Sequence, residues 1–261
     1  MQPLKNAYRL FSQKAIPFLY LMILQPVFTG AVLFTFAGVF FFLLIIINVL
    51  DYLSPSNGIY VVGAFIGIML AMTFYFYSAF KGALVKGFSQ IAFAHGMDLE
   101  DFLVYSSARG MRFFGVSFVK ALVYVLLLAP LGLAYYLNPS FFSAEYIPLV
   151  LAAIYFPLFF VVEYGLCLSY IGVALRDFSV KEAIKTSAKM AFKSIADFLP
   201  LYIIYVIVWW ARLIPLVGIA IHFVLYPVVY TALIFQFQES VGRSYHRPAH
   251  HGDKDMDIII G

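Results

Sequence analysis

PVFTGAVLFTFAGVFFFLLIIINVL, residues 26–50, holds no charged side chain, and its apolar residues fall on every side of a helix. A stretch of about 20 such residues spans the hydrocarbon core of a bilayer as a helix. Uncharged runs of this kind recur at 59–80, 121–137, 146–175, 198–211 and 213–238, the fourth interrupted only by Glu163. Six transmembrane helices are therefore expected. The fifth and sixth are separated only by Arg212 and a turn at Pro215. Strands of a membrane barrel would alternate polar and apolar over about 10 residues, and these runs do not.

The whole composition agrees. Of 261 residues, 64% are hydrophobic and 11% charged, against about a quarter charged in a soluble domain. The fold class expected is all-α and polytopic, with residues 1–240 as a single membrane domain and 241–261 as a disordered cytoplasmic tail. The N-terminal stretch MQPLKNAYRLFSQKAIP spreads Lys5, Arg9 and Lys14 among isolated apolar residues and does not read as a signal peptide. Cys167 is the only cysteine, which excludes an intramolecular disulfide and a cysteine-based metal cluster.

Charge asymmetry gives an orientation. With six spans, the positives at Lys5, Arg9 and Lys14, those from Lys81 to Lys120, those from Arg176 to Lys193, and Arg243, Arg247 and Lys254 fall on one side, and only Arg212 on the other. Positive residues flanking spans are retained in the cytoplasm. The expectation is a multi-pass protein of the cell membrane with both termini cytoplasmic and short outer loops, DYLSPSNG and NPSFFSAEY. The net charge of +4 is thereby assigned to the membrane surface and not to nucleic acid.

Between the fourth and fifth runs lies SVKEAIKTSAKMAFKSIADFLP, residues 179–200. At 3.6 residues per turn Val180, Ile184, Ala188, Ala191 and Ile195 form one stripe, and Lys181, Lys185, Lys189 and Lys193 another. Ser179 with Glu182 reads as a capping box at the helix start. A basic amphipathic helix of this kind lies in the membrane interface and attracts anionic headgroups. The four lysines are thus candidate contacts for anionic lipid.

A shift of 81 positions lays DLEDFLVYSSARGMR (98–112) under SVKEAIKTSAKMAFK, with Asp98 over Ser179, Asp101 over Glu182 and Ser106 over Ser187. PLKNAYR (3–9) offers a fainter third copy. The repeat predicted is an interfacial helix followed by a transmembrane hairpin, in units 1–80, 98–175 and 179–240. In the first unit the apolar run from Pro17 to Leu50 would be about 50 Å long as a helix, so a break or kink is expected near Pro26.

The residues Val161, Val162 and Glu163, followed by Ser179, Glu182, Ala183, Lys185 and Ser187, resemble the membrane domain attached to some bacterial glycerophosphodiester phosphodiesterases and its six-span bacterial and archaeal relatives. The acidic position that this family places just before the amphipathic helix is better filled by Asp177 than by Glu163. The phosphodiesterase catalytic domain is absent from this sequence. The resemblance implies architecture and no hydrolase activity.

Glu163 and His222 are the candidate intramembrane functional residues, because an ionisable group inside the hydrocarbon usually faces a partner or a water-filled path. Arg212, beside Trp209 and Trp210, reads as an outer-interface anchor. Asp98, Glu100 and Asp101 suit a helix start, and His246, His250 and His251 lie in the tail. No HExxH, GxSxG or phosphate-cradling loop is present, so no catalytic residue, metal or cofactor is expected. The first expectation is a non-enzymatic membrane protein that engages anionic lipids or a protein partner, including a second copy of itself. The second is a transporter or channel using Glu163 and His222 with kinks at Pro157 and Pro227. The third, a lipid-modifying enzyme, lacks a paired acid and base.

Overall fold

The structure is a computed structural model and describes residues 2–49, 55–93, 97–138, 146–212, 214–215 and 217–245. Described residues are helical apart from short turns. The helices are α1 (Gln2–Gln13), α2 (Ala15–Val49), α3 (Pro55–Phe93), α4 (Leu99–Leu137), α5 (Ile147–Leu166), α6 (Ser169–Arg176), α7 (Val180–Lys193), α8 (Ile195–Ala211), α9 (Val217–Ala220) and α10 (Tyr226–Tyr245), with a π-helical turn at Ile221–Leu225 joining the last two. Among the described residues five stretches are long and apolar enough to cross a membrane, and a sixth if α7 and α8 count as one bent span. The tail from residue 246 lies outside the described residues, as do residues 51–54 and 139–145 of the outer loops; residues 55–58 of the first loop open α3.

Helix lengths depart from the hydropathy runs. α3 and α4 have 39 residues each, about 58 Å at 1.5 Å per residue, nearly twice the ~30 Å hydrocarbon core. The expected spans at 59–80 and 121–137 are only their apolar ends. Lys81, Arg109, Arg112 and Lys120 end the apolar runs without ending the helices. α2 likewise continues through Pro26, so the expected break is absent. Proline is tolerated within membrane helices because neighbouring groups and local adjustment of the helix satisfy the carbonyl that it frees.

Burial divides the molecule into two zones. Toward the outer ends of α2 to α5, Phe34, Phe41, Tyr60, Leu126, Leu149 and Phe156 are more than half exposed. Apolar exposure on this scale requires lipid or a partner to cover it. At the other end Phe18, Phe88, Phe102, Phe113, Leu168, Phe198 and Phe237 are buried in one continuous core. That base gathers α1, α6, α7 and α10 around the lower parts of α3 and α4, with α10 packed against α1, α8 and α3. α3 and α4 approach closely because Gly82 faces the Phe113 ring and Gly110 faces Tyr75 and Ala79, leaving no room for a methyl group. Ser78 Oγ donates to Ser117 Oγ at 2.8 Å across the same contact.

The hairpins rise to unequal heights. Arg212 lines one cavity together with α2 residues from Gln25 to Leu33; beyond Leu33 α2 continues for about 24 Å. Trp210 and Phe156 line another; above it α5 continues for about 13 Å. α2 and α5 thus extend beyond the level at which Arg212 and Trp210, at the turn between α8 and α9, line these cavities.

The two helix starts expected to correspond are capped alike. Asp98 Oδ1 accepts from Asp101 N at 2.7 Å, and Ser179 Oγ accepts from Glu182 N at 3.4 Å while Glu182 Oε2 accepts from Ser179 N at 2.9 Å. Beyond the caps the courses differ. α4 continues unbroken into the apolar band, whereas the chain bends by 106° between α7 and α8. Ser106 donates to Phe102 O within its own helix, while Ser187 bridges to another element.

Candidate functional site

α7 is held by small residues. Ala183, Ser187 and Ala191 form its buried face, against the break between α5 and α6. That break leaves backbone groups without helical partners, and Ser187 serves two of them: its Oγ donates to Gly165 O at 2.7 Å and accepts from Leu168 N at 3.1 Å. Tyr164 OH donates to Ala191 O at 2.7 Å. The packed face is thus rotated from the expected stripe of Val180, Ile184, Ala188, Ala191 and Ile195, because the break selects a hydroxyl and small side chains. Ile195 is exposed and begins α8. Lys181, Lys185, Lys189 and Lys193 are all exposed on the opposite side.

At its N-terminal end α7 is stapled to α4. Asp177 closes α6 in the left-handed region at φ 54°. Its carboxylate meets Arg109 at 2.9 Å and Arg112 at 2.7 Å, and Arg112 also donates to the Asp177 carbonyl at 2.6 Å. Two arginines expected only to set topology thus have a structural partner. Hydrogen bonds from the Ser179 hydroxyl and amide lower the Glu182 pKa below its ordinary value of 4.5.

Within the apolar band, Glu163 on α5 faces Lys120 and Tyr124, one turn apart on α4. The Lys120 ammonium pairs with Oε2 and the Tyr124 hydroxyl donates to Oε1, so both carboxylate oxygens are engaged. The Tyr124 ring rests on Phe159 with centroids 5.2 Å apart. This level lies about 24 Å along α5 and about 26 Å along α4 from their outer ends, within a ~30 Å core if those ends mark the interface.

Glu163 and Lys120 border a cavity of about 420 Å³ whose walls include Tyr77, Lys81, Phe156, Phe160, Tyr205 and Trp210. A second cavity, of about 310 Å³, is lined by Gln25, Thr29, Lys81, Arg212, His222 and Tyr226, among others. Tyr77, Lys81 and Trp209 belong to both walls. Lys81 Nζ stands 4.9 Å from the Tyr170 ring centroid. Among the described residues no carboxylate lies within ion-pair distance of it.

His222 lies in the π-helical turn, stacked on Tyr226 with centroids 6.0 Å apart. Its Nδ1 and the Thr29 hydroxyl are buried without a protein hydrogen-bond partner. The structure therefore places Glu163 and His222 in different cavities, with Lys81 between. The Arg212 guanidinium, expected at the outer interface, lies 4.6 Å from the Tyr226 ring centroid. The side chain lies on an aromatic face and borders the second cavity. α5 runs through Pro157 unbroken, and Pro227 follows the π-helical turn.

Lys81, Lys120, Gln25 and Thr29 are site residues that sequence reading missed. The usable signal was a lone lysine inside a helix longer than its apolar run, and the Lys120–Tyr124 spacing of one turn. Among the described residues no group of three His, Cys, Asp or Glu could hold a metal ion. His246, His250 and His251 lie outside the described residues. No model of a known family, no curated protein and no solved structure matches the chain. The fold and site define a chain that is all-α among its described residues, with helices long and apolar enough to span a membrane and a cation-lined cavity among them.

Proposed function

We propose that this chain is a non-enzymatic integral membrane protein of the cell membrane that engages anionic lipid, with both termini cytoplasmic. The observation that carries the reading is α7. It is anchored to the protein by Ala183, Ser187 and Ala191, turned 106° from α8, and presents four exposed lysines beside exposed Phe192 and Ile195. With α8 along the membrane normal, α7 lies close to the membrane plane, where each lysine near an anionic surface contributes about 1 kcal/mol. The resemblance to the phosphodiesterase-attached membrane domain adds an architectural reading and no activity. In detergent, phosphatidylglycerol should raise the thermal midpoint more than phosphatidylcholine does. The difference should fall stepwise, and with added salt, as Lys181, Lys185, Lys189 and Lys193 become glutamine. A difference that survives all four substitutions contradicts the role of α7.

Transport is the second reading, supported by the placement of Arg212, His222, Gln25 and Thr29 around a cavity inside the apolar band. Against a conduit stands the closed base beyond Lys81, where Phe88, Phe113, Tyr170 and Tyr230 are buried. Loss of a measured solute or ion flux in Glu163→Gln at unchanged fold would favour transport.

A further inference from the structure

We infer that the two cavities flanking Lys81 together bind one anionic amphiphile, its acidic head received by Lys81 and Arg212 and its acyl chain lying along the aromatic wall between α5 and α8. The inference stands on the cavities alone and does not depend on the lysines of α7.

Charge selects the head. Lys120 is neutralised by Glu163, whereas Lys81 and Arg212 have only ring faces, those of Tyr170 and Tyr226, and among the described residues no carboxylate pairs with either. A cation held in an apolar band is costly unless paired, and a ring face compensates it only in part. Both cations line the second cavity, where the unpartnered Thr29 hydroxyl and His222 Nδ1 add hydrogen-bonding capacity. A carboxylate or a phosphate would satisfy this set.

Shape selects the tail. The first cavity leaves Lys81 between walls of Phe156, Phe159, Phe160, Val206 and Trp210. α5 makes most of its close backbone contacts with α7, and it meets α8 through rings, with Phe160 and Tyr202 centroids 5.2 Å apart. Phe156, Trp209 and Trp210 are exposed at the edge of this gap. The gap lies in the apolar band beside the short α8–α9 turn, so entry is lateral, from the lipid. A water-soluble anion would leave these walls uncovered; an acyl chain covers them.

Trp209 and Trp210 are the only tryptophans of the chain and both line the first cavity, so their fluorescence reports occupancy. The protein in phosphatidylcholine nanodiscs is titrated with chain-brominated stearate, phosphatidic acid or phosphatidylcholine at equal mole fraction. Acidic probes should quench at about fivefold lower mole fraction than the zwitterionic one; stearate and phosphatidic acid separate a carboxylate from a phosphate head. Lys81→Gln should abolish the preference, Lys81→Arg should retain it, and glutamine at all four α7 lysines should leave it intact. Equal quenching by all three probes overturns the inference, as does a preference retained in Lys81→Gln or lost in the α7 variant alone. If Lys81→Gln does not fold, competition on the wild type decides: unbrominated oleate should relieve quenching and oleyl alcohol should not, and equal relief by both overturns the inference.

Discussion

Both carboxylate oxygens of Glu163 are occupied, by Lys120 and Tyr124, and the consequence is that its neighbour depends on it. In Glu163→Gln, Lys120 keeps its desolvation cost but loses its counter-ion, while the cavity offers it partial relief. The thermal midpoint should fall by an amount equivalent to about 1–3 kcal/mol. The double variant Lys120→Met with Glu163→Gln should recover at least half of the loss, measured by thermal melts in one detergent. Additive losses would show that the pair is not coupled. Asp177 offers a second case, since it combines two half-exposed ion pairs with a left-handed backbone. Exposed pairs contribute up to about 1 kcal/mol, and an alanine in this conformation costs about 1–2 kcal/mol more than a glycine. Asp177→Gly should therefore be more stable than Asp177→Ala, with both below wild type; the reverse order would remove the backbone from the explanation. Glu163 was legible in the sequence as a lone charge within an apolar run. Lys81 and Lys120 were not, because each ends such a run and hydropathy assigns it to a loop.

At the scale of elements, α7 was legible in its cap and its lysines, but not in the face it buries. Periodicity favours the larger apolar residues, whereas the α5–α6 break needs one hydroxyl and two alanines. Ser187→Ala would leave Gly165 O and Leu168 N buried and unpaired, at a cost of about 1–3 kcal/mol, and it should weaken the lipid response of α7 by loosening its anchor. The Glu182 cap makes a pH prediction. Its pKa is depressed in the folded state, so its contribution is complete above the ordinary carboxylate value and is lost as pH falls through the folded one. Acid melts should show a loss of stability below about pH 4.5 that is smaller in Ser179→Ala. An identical acid slope in that variant would place the titration elsewhere. The lengths of α3 and α4 escaped sequence reading for a related reason: a helix supported by a packed base tolerates charges that a lipid-facing helix does not.

The whole molecule combines apolar, exposed hairpins with a packed base, and the charge pattern is the ground for the orientation proposed. Cysteine labelling in intact cells, with Cys167 replaced, should modify Ser56→Cys and not His250→Cys; the opposite pattern reverses the orientation. Membrane class and the all-α fold followed from uncharged runs alone, since burial in lipid leaves few alternatives to a helix. Relative hairpin heights did not, because hydropathy counts residues without saying against which level they stand. The height of the α8–α9 turn decides whether Lys81, Arg212 and His222 lie inside the bilayer, and depth-dependent quenching of Trp209 and Trp210 measures it. With phosphatidylcholines brominated near the headgroup, midway along the chain or near its end, the midway and terminal positions should quench most. Strongest quenching by bromine near the headgroup would put the turn at the interface and contradict an intramembrane site.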